Sequence, residues 1–315
     1  MQVPLLNALK TFTVSAQRLN FTKASEDLLV SPSAISHQIK ILEEYLGCKL
    51  FLRKNRSLEL TEEGLFLFNR LQRPFYEINQ ALSELRMPHG KSRINLSLRP
   101  FVSSMWFTKQ LGDLWRKHPG IEINLIHSLQ APDFFRDNIN FAIVWGKQGD
   151  WPHLATVPII AGNLTPVCSP AYLQEHGEIK VAADLNQHIL IHEENHVGWQ
   201  QWLYKATGQE MQAGKGFHID DTNVRMHAVL NGQGIMLGCP ALLQPLLEQG
   251  ELVQLFEAYL DEYAYFLAYP KEANLSRQEQ DFLDWVASIA LTWGQFRRIK
   301  TFTGRLQTYK RLFYV

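Results

Sequence analysis

The stretch Thr22-Lys23-Ala24-Ser25-Glu26-Asp27-Leu28-Leu29-Val30-Ser31-Pro32-Ser33-Ala34-Ile35-Ser36-His37-Gln38-Ile39-Lys40 decides the fold. Within it, Val30-Ser31-Pro32-Ser33 sets a serine able to cap a helix before a proline at the first helical position, where a missing N–H is harmless. The spacing predicts a helix from about Ser33 to Leu46, ending at Gly47, where a left-handed cap is easy. Ile35, Ile39, Leu42 and Leu46 share one face of that helix, and Ser33, Ser36, His37 and Lys40 the other. Upstream, Thr22 is a competent N-cap for a short helix to about Leu29. Before the break at Asn20, Leu5, Leu6, Leu9, Phe12 and Val14 recur at helical spacing up to Arg18. Three short helices with a tight turn between the last two result. The third carries a polar, cationic stripe, a composition that a solvated surface helix also shows.

Leu50-Phe51-Leu52-Arg53, a basic tip Lys54-Asn55-Arg56, and Ser57-Leu58-Glu59-Leu60 read as a two-stranded hairpin, a candidate wing. Thr61 then caps a long helix whose first turn holds Glu62 and Glu63, favourable at the positive end of the helix dipole. In it Phe68, Leu71, Phe75, Ile78, Leu82 and Leu85 alternate spacings of three and four, a seam that needs another helix to cover it. Pro74 removes one ladder bond from that helix and is expected to bend it.

Met87-Pro88-His89-Gly90-Lys91-Ser92 is a hinge by composition, and beyond it strands and helices alternate. Strands are expected at Ile94–Leu98, Ile121–Ile126, Phe141–Trp145, Leu164–Cys168, Ile189–Ile191, Ile235–Gly238 and Tyr263–Ala268. Helices are expected at about Ser103–His118, Gly198–Ala206, Thr222–Leu230 and Arg277–Thr292. A chain of 315 residues is too long for one ordinary core, so several compact units are implied. The net charge of zero hides a division: residues 1–91 hold 12 Lys/Arg against 9 Asp/Glu, residues 92–293 hold 13 against 22, and residues 294–315 hold 6 against none. Basic ends around an acidic body make any nucleic-acid contact local, although ordinary charge fluctuation is the alternative. No signal-like or membrane-length apolar run is present, so a cytoplasmic location without membrane contact is expected. Cys48, Cys168 and Cys239 lack zinc spacing and read as buried reduced thiols.

A longer pattern joins these pieces: Phe21-Thr22-Lys23-Ala24, Leu28, Ser31, Ala34-Ile35-Ser36-His37-Gln38-Ile39, Leu42-Glu43, Leu46-Gly47, Leu50-Phe51, Arg53, and Leu60-Thr61 with Gly64. It resembles the LysR-type transcriptional regulators. Ala142-Ile143, Trp151-Pro152, Pro166-Val167-Cys168-Ser169-Pro170, and Gly232 with Gly234, Ile235 and Pro240 are similar to the glycine-cleavage-activator subgroup, whose usual arginine after Ala-Ile is Val144 here. The resemblance implies a multi-domain chain: an all-α winged helix-turn-helix domain at 1–61, a linker and dimerisation helix at 62–87, and an α/β periplasmic-binding-protein-like sensor at 92–293. The sensor is expected as two subdomains, 92–162 with 267–293 and 163–266, followed by a basic aromatic tail at 294–315. The implied function is transcription regulation gated by a small-molecule effector, with no enzyme activity, no metal and no cofactor. The implied partners are double-stranded operator DNA, further copies of the chain as dimer or tetramer, and RNA polymerase if it activates.

With the third helix in the major groove, Ser31, Pro32, Ser33 and Ser36 permit close approach to base edges while His37 and Lys40 reach farther. Thr22, Arg53 and Arg56 are expected on phosphates. An effector between α/β subdomains meets strand ends and helix N-termini, which nominates Pro100, Ser103, Ser104, Trp145, Thr165, Pro166, Asp221 and Thr222. Such termini suit a small, anionic molecule. Ser103 and Thr222 as plain helix caps, and Trp145 as plain core, are the bland alternatives.

His192-Glu193-Glu194-Asn195-His196 matches H-E-x-x-H, but a strand-like run precedes it, so a loop bordering the effector cleft is expected in place of a zinc helix. Gly232-Gln233-Gly234 follows a helical pattern and fails as a dinucleotide fingerprint. A binding protein or enzyme with an incidental helix-turn-helix is the rival class; it needs neither the hinge nor the seam nor the wing.

Overall fold

A computed structural model describes residues 5–54, 57–86, 92–135, 137–193, 197–210 and 214–292. At some further positions, Arg53 and Leu85 among them, only the backbone is described, and Arg56 and the tail 294–315 lie outside the described residues. The chain divides into two compact units, with the main boundary in sequence between residues 91 and 92 and the short stretch 133–138 grouped with the first.

The N-terminal unit holds α1 (Leu6–Arg18), α2 (Phe21–Leu28), α3 (Pro32–Leu46), a hairpin of β1 (Phe51–Lys54) and β2 (Ser57–Leu60), and α4 (Glu62–Arg86). Ala8, Phe12, Ile35, Ile39, Leu42, Leu50 and Phe51 form its core. Phe51 is the centre, with Phe12 at 5.5 Å and Phe21 edge-on at 5.3 Å. Leu46, expected on the buried face of α3, is 42% exposed, because the helix closes at Gly47 (φ 70°) one turn past Leu42. The cap of α2 is Asn20 and not Thr22: Asn20 Oδ1 accepts the N–H groups of Thr22 (2.9 Å) and Lys23 (3.1 Å). α4 runs unbroken through Pro74. Its start is pressed onto the hairpin so tightly that a Cβ on Gly64 would lie 2.1 Å from the Leu50 carbonyl oxygen, so this place in the pattern takes only glycine.

The second unit has two sheets. The first is built from β3 (Ser92–Leu98), β4 (Ile121–His127), β5 (Phe141–Lys147), β6 (Leu154–Ala161) and β12 (Tyr263–Pro270), in the order β4-β3-β5-β12-β6. The second is built from β7 (Thr165–Cys168), β8 (Leu190–His192), β9 (Gly216–His218), β10 (Ile235–Gly238) and β11 (Val253–Gln254), in the order β11-β7-β10-β8-β9. The helices are α5 (Pro100–Met105), α6 (Leu111–Lys117), α7 (Pro170–His176), α8 (Val197–Thr207), α9 (Thr222–Leu230), α10 (Pro240–Glu248) and α11 (Arg277–Thr292). The chain leaves the first lobe between β6 and β7 and returns between β11 and β12. These two crossings are bonded to each other, Leu164 N–H to Leu260 O at 3.1 Å and Leu260 N–H to Leu164 O at 2.9 Å. The return precedes Tyr263, so the expected subdomain boundary at 266 falls inside β12, which pairs with β5 and β6 of the first lobe.

The helix expected over Ser103–His118 is broken into α5, a 3-10 turn (Phe107–Gln110) and α6. Trp106 and Phe107 are adjacent and both fully buried. Neighbours on a continuous helix point about 100° apart, so burying both is met by a break at Trp106 (φ −128°, ψ −59°). Among the described residues no helix is long and apolar enough to cross a membrane, and no group of three or more His, Cys, Asp or Glu could hold a metal ion.

Candidate nucleic-acid interface and effector cleft

The candidate DNA-reading surface starts at the turn between α2 and α3. Ser31 Oγ accepts the Ala34 N–H at 3.2 Å and meets Ser33 Oγ at 2.9 Å, while Pro32 supplies the fixed first residue of α3. Ser33, Ser36, His37 and Lys40 follow at i, i+3, i+4 and i+7, one face of one helix. Ser33, His37 and Lys40 are exposed and Ser36 half-buried; Lys40 is 3.5 Å from Glu44. Thr22, in the first turn of α2, is exposed. Arg53 is on β1 at the hairpin, its side chain and Arg56 outside the described residues.

Glu43 supports this surface and was not nominated by sequence reasoning. From the back of α3 its carboxylate accepts the N–H groups of Leu50 (2.9 Å) and Phe51 (3.4 Å) and pairs with Lys49 at 2.7 Å. Burial alone would raise its pKa; the bonds from Lys49, Leu50 and Phe51 outweigh burial and hold it below the usual carboxylate value. The Leu42-Glu43 pair in the motif was the available signal.

The seam divides into two parts. Phe68 and Leu71 are half-buried against the core of their own unit, since the first half of α4 is the fourth helix of that core. Ile78 and Leu82 are exposed, as are Leu65 and Phe66, and Phe75 is half-buried. Leu85 has no described side chain.

In the second unit the structure brings Ser104, Asp221 and Thr222 to the line where the lobes face each other. Ser104 Oγ on α5 donates to Asn223 Oδ1 at 3.1 Å, across from lobe to lobe. Asp221 caps α9, accepting from Asn223 N (2.7 Å) and Val224 N (3.2 Å). Thr222 is the first helical residue, and its hydroxyl accepts from Arg225 at 2.7 Å. Pro100 opens α5, and Ser103 is buried inside it, its N–H bonded to Arg99 O, so neither Ser103 nor Thr222 is the cap. Trp145, Thr165 and Pro166 belong to the crossings: Trp145 Nε1 donates to Gly162 O at 3.1 Å, buried Thr165 donates to Phe256 O at 3.0 Å, and Pro166 is opposite Leu237 in the sheet.

The charged groups of the cleft were missed. Arg99, at the end of β3, pairs with Glu193 of the other lobe at 2.9 Å, and Arg225 approaches the same carboxylate at 3.4 Å. Tyr265 is buried beside them, and burial pushes its phenol well above its ordinary value. Cys239 donates to Ala161 O at 3.2 Å; burial pushes its thiol up to about 11 and that of Cys168 up to about 12, so both stay protonated. Glu193, in a bend past β8, is the last residue before the undescribed part of the H-E-x-x-H stretch. His192 ends β8 fully buried, bonded at 3.2 Å to Gly214 O, and Glu194, Asn195 and His196 lie outside the described residues.

A three-helix unit with a turn-fixed polar helix and a wing, joined to a two-lobed α/β unit with two crossings, defines a helix-turn-helix regulator with a sensor. Residues 6–65 match the bacterial regulatory helix-turn-helix proteins of the lysR family, and residues 89–290 match the LysR substrate binding domain. The chain belongs to the LysR family of transcriptional regulators, and its role is DNA-binding regulation, not enzymatic catalysis. It is 32% identical over 291 residues to the glycine cleavage system transcriptional activator of Escherichia coli (strain K12), covering 92% of this chain and 95% of that protein. It is 31% identical over 259 residues to the HTH-type transcriptional regulator DsdC of the same organism, covering 80% and 82%. Its fold is similar to ArgP from Mycobacterium tuberculosis (TM-score 0.66, 20% identity, 92% of this chain and 97% of that one). It is similar also to the effector domain of AmpR of Pseudomonas aeruginosa (TM-score 0.58, 20% identity, 65% of this chain and 99% of that one).

Proposed function

We propose that the chain acts in the cytoplasm as a dimer or tetramer, reading operator DNA with α3 and changing its action when a small anionic effector enters the cleft of the second unit. The observation that carries the DNA reading is the exposed row of Ser33, His37 and Lys40 with half-buried Ser36, aimed outward because Ile35, Ile39 and Leu42 are aimed in. Small residues at the start of α3 let the backbone approach base edges, and Thr22, Arg53 and Arg56 supply phosphate contacts. Self-association is supported by the exposed apolar Ile78 and Leu82 in the second half of α4 and by half-buried Phe75, while Phe68 and Leu71 serve their own core; Leu85 joins them only by its place in the heptad row. The effector reading rests on Ser104, Asp221 and Thr222 at the lobe boundary, with Pro100 and Ser103 behind them and Trp145, Thr165 and Pro166 at the crossings. An activator would in addition meet RNA polymerase.

Fluorescence anisotropy of the full chain on labelled DNA from upstream of its own gene, against a scrambled fragment at two salt concentrations, tests this. A preference of ~10³ or more that weakens with salt is expected. Lys40→Ala should weaken both fragments and flatten the salt slope if it meets phosphate, or narrow the preference if it meets a base. Equal weak binding to both fragments would overturn the α3 assignment for this operator.

A further inference from the structure

Two arginines from opposite lobes share one carboxylate oxygen, Glu193 Oε1. They differ in how they are held. Arg225 is almost wholly buried, its side chain 8% exposed. Its guanidinium is fixed by Ile219 O at 3.3 Å and Thr222 Oγ1 at 2.7 Å before Glu193 is counted. Arg99 is anchored by its place between β3 and α5, its side chain 41% exposed. Glu193 is in a bend just past the end of β8 with a side chain 47% exposed. A rigid buried cation, a half-exposed cation and an exposed carboxylate therefore meet at one point.

A buried guanidinium needs an anion nearby, because an unpaired charge out of water is costly. Glu193 supplies it. The same carboxylate makes a poor permanent strut, since an ion pair this exposed contributes little and exchanges readily with solvent. Both guanidinium groups already meet a carboxylate, each through one nitrogen on the same oxygen, and guanidinium donors favour that planar group. Once Glu193 turns to water yet stays close, two arginines and one glutamate leave a single net positive charge, which suits a monoanion better than a phosphate dianion.

The geometry points to Glu193 as a built-in stand-in for the effector: a small monocarboxylate enters the cleft and takes its place between Arg99 and Arg225. This rests on the reading that effectors bind between the lobes. It adds a chemical class and an internal competitor. While Glu193 occupies the arginines, the competent state is only a fraction of the population, and apparent affinity is reduced by that fraction.

The test is calorimetric titration and thermal melting of the full chain with sodium acetate and sodium lactate. Sodium chloride at matched ionic strength, acetamide and inorganic phosphate serve as comparisons. Glu193→Ala should bind acetate or lactate about five- to tenfold more tightly than the parent, with Glu193→Gln as the size-conserving check. The double variant Arg99→Gln/Glu193→Ala should lose that gain, and acetamide should bind none of them. A properly melting E193A with no gain would overturn the stand-in, and so would a parent protein, with Glu193 in place, that binds phosphate more tightly than acetate or lactate. Ser104→Trp, filling the lobe boundary, separates the two claims. Binding that S104W abolishes but E193A leaves unchanged overturns only the stand-in, and binding that S104W leaves intact overturns the cleft reading itself.

Discussion

The indole of Trp145 is stacked on the ring of Tyr263 at 4.3 Å, the planes 8° apart. Trp145 Nε1 also donates to Gly162 O, and Gly162 N–H donates to Tyr263 O at 3.1 Å. The end of β5, the outgoing crossing and the start of β12 are thus tied through one side chain. Removing its donor and part of its ring as Trp145→Phe should cost about 1–2 kcal/mol. Gly162→Ala should cost about 1–3 kcal/mol, because the new Cβ would lie 2.7 Å from Trp145 Nε1 and 2.9 Å from the Ala264 Cα. Urea midpoints of the full chain check both, and an unchanged midpoint for G162A would show that the crossing is not tight.

Glu43→Ala leaves the Leu50 and Phe51 N–H groups to water at the base of the wing. Expected are a loss of about 1–2 kcal/mol in the N-terminal unit and weaker DNA binding, read by melting and by anisotropy. The carboxyl is depressed in the folded state, so its contribution is present above the ordinary value of 4.5 and is lost as pH falls through the folded value. E43A should therefore flatten the acid limb of the stability profile; an acid limb equal to the parent's would remove Glu43 from that role.

In the first lobe, Asn140 Nδ2 donates to buried Glu279 Oε1 at 2.7 Å and its Oδ1 accepts the Asn95 N–H at 2.8 Å. Ser276 satisfies the other Glu279 oxygen through N (2.8 Å) and Oγ (2.9 Å). Asn140→Ala should cost about 2–3 kcal/mol, since it strands a buried carboxylate oxygen and a strand N–H together. A double-mutant cycle with Glu279→Gln should give a coupling above ~0.5 kcal/mol, and additive losses would mean that the two residues act separately.

Tyr172 joins two structural layers of the second lobe: its hydroxyl accepts the Ile189 N–H at 3.0 Å and meets His188 Nδ1 at 3.2 Å. Burial, then the neighbouring His176, lowers the His188 pKa, and Asp184 pulls weakly the other way. The folded state thus holds fewer protons than the unfolded one below the ordinary value of 6.5. Stability of this lobe should decline as pH falls from that value toward the folded one, and His188→Asn should remove that part of the decline. Hydrogen exchange at Ile189 between pH 7 and pH 5 measures it; identical profiles for both proteins would exclude His188.

Much of the N-terminal unit was legible because local chemistry specifies it. Ser31 and Pro32 start α3, Gly47 ends it, and Thr61 accepts the Gly64 N–H at 2.9 Å to start α4. Asn20 and Thr22 are both good caps two residues apart, and only the extended backbone at Asn20 (φ −157°, ψ 113°) decides between them. The seam left its cover open because a heptad row does not say which helix covers it: Phe68 and Leu71 pack on their own unit, and Ile78 and Leu82 are exposed. β6 (Leu154–Ala161), interrupted by Pro158, gave no clean alternation, and its pairing is set by β12. The cleft charges were illegible for a plainer reason. Arg99 and Glu193 are 94 residues apart, and neither sits in a motif that mentions the other.

The paired crossings at Leu164 and Leu260 leave the sensor with few ways to move. Two separate tethers would let one lobe shear, slide or swing against the other; a short bonded ribbon resists all but twist and bend. An effector bound between the lobes as proposed would then act on those two motions alone, and quite different molecules would produce the same kind of output, graded by angle and not by chemistry.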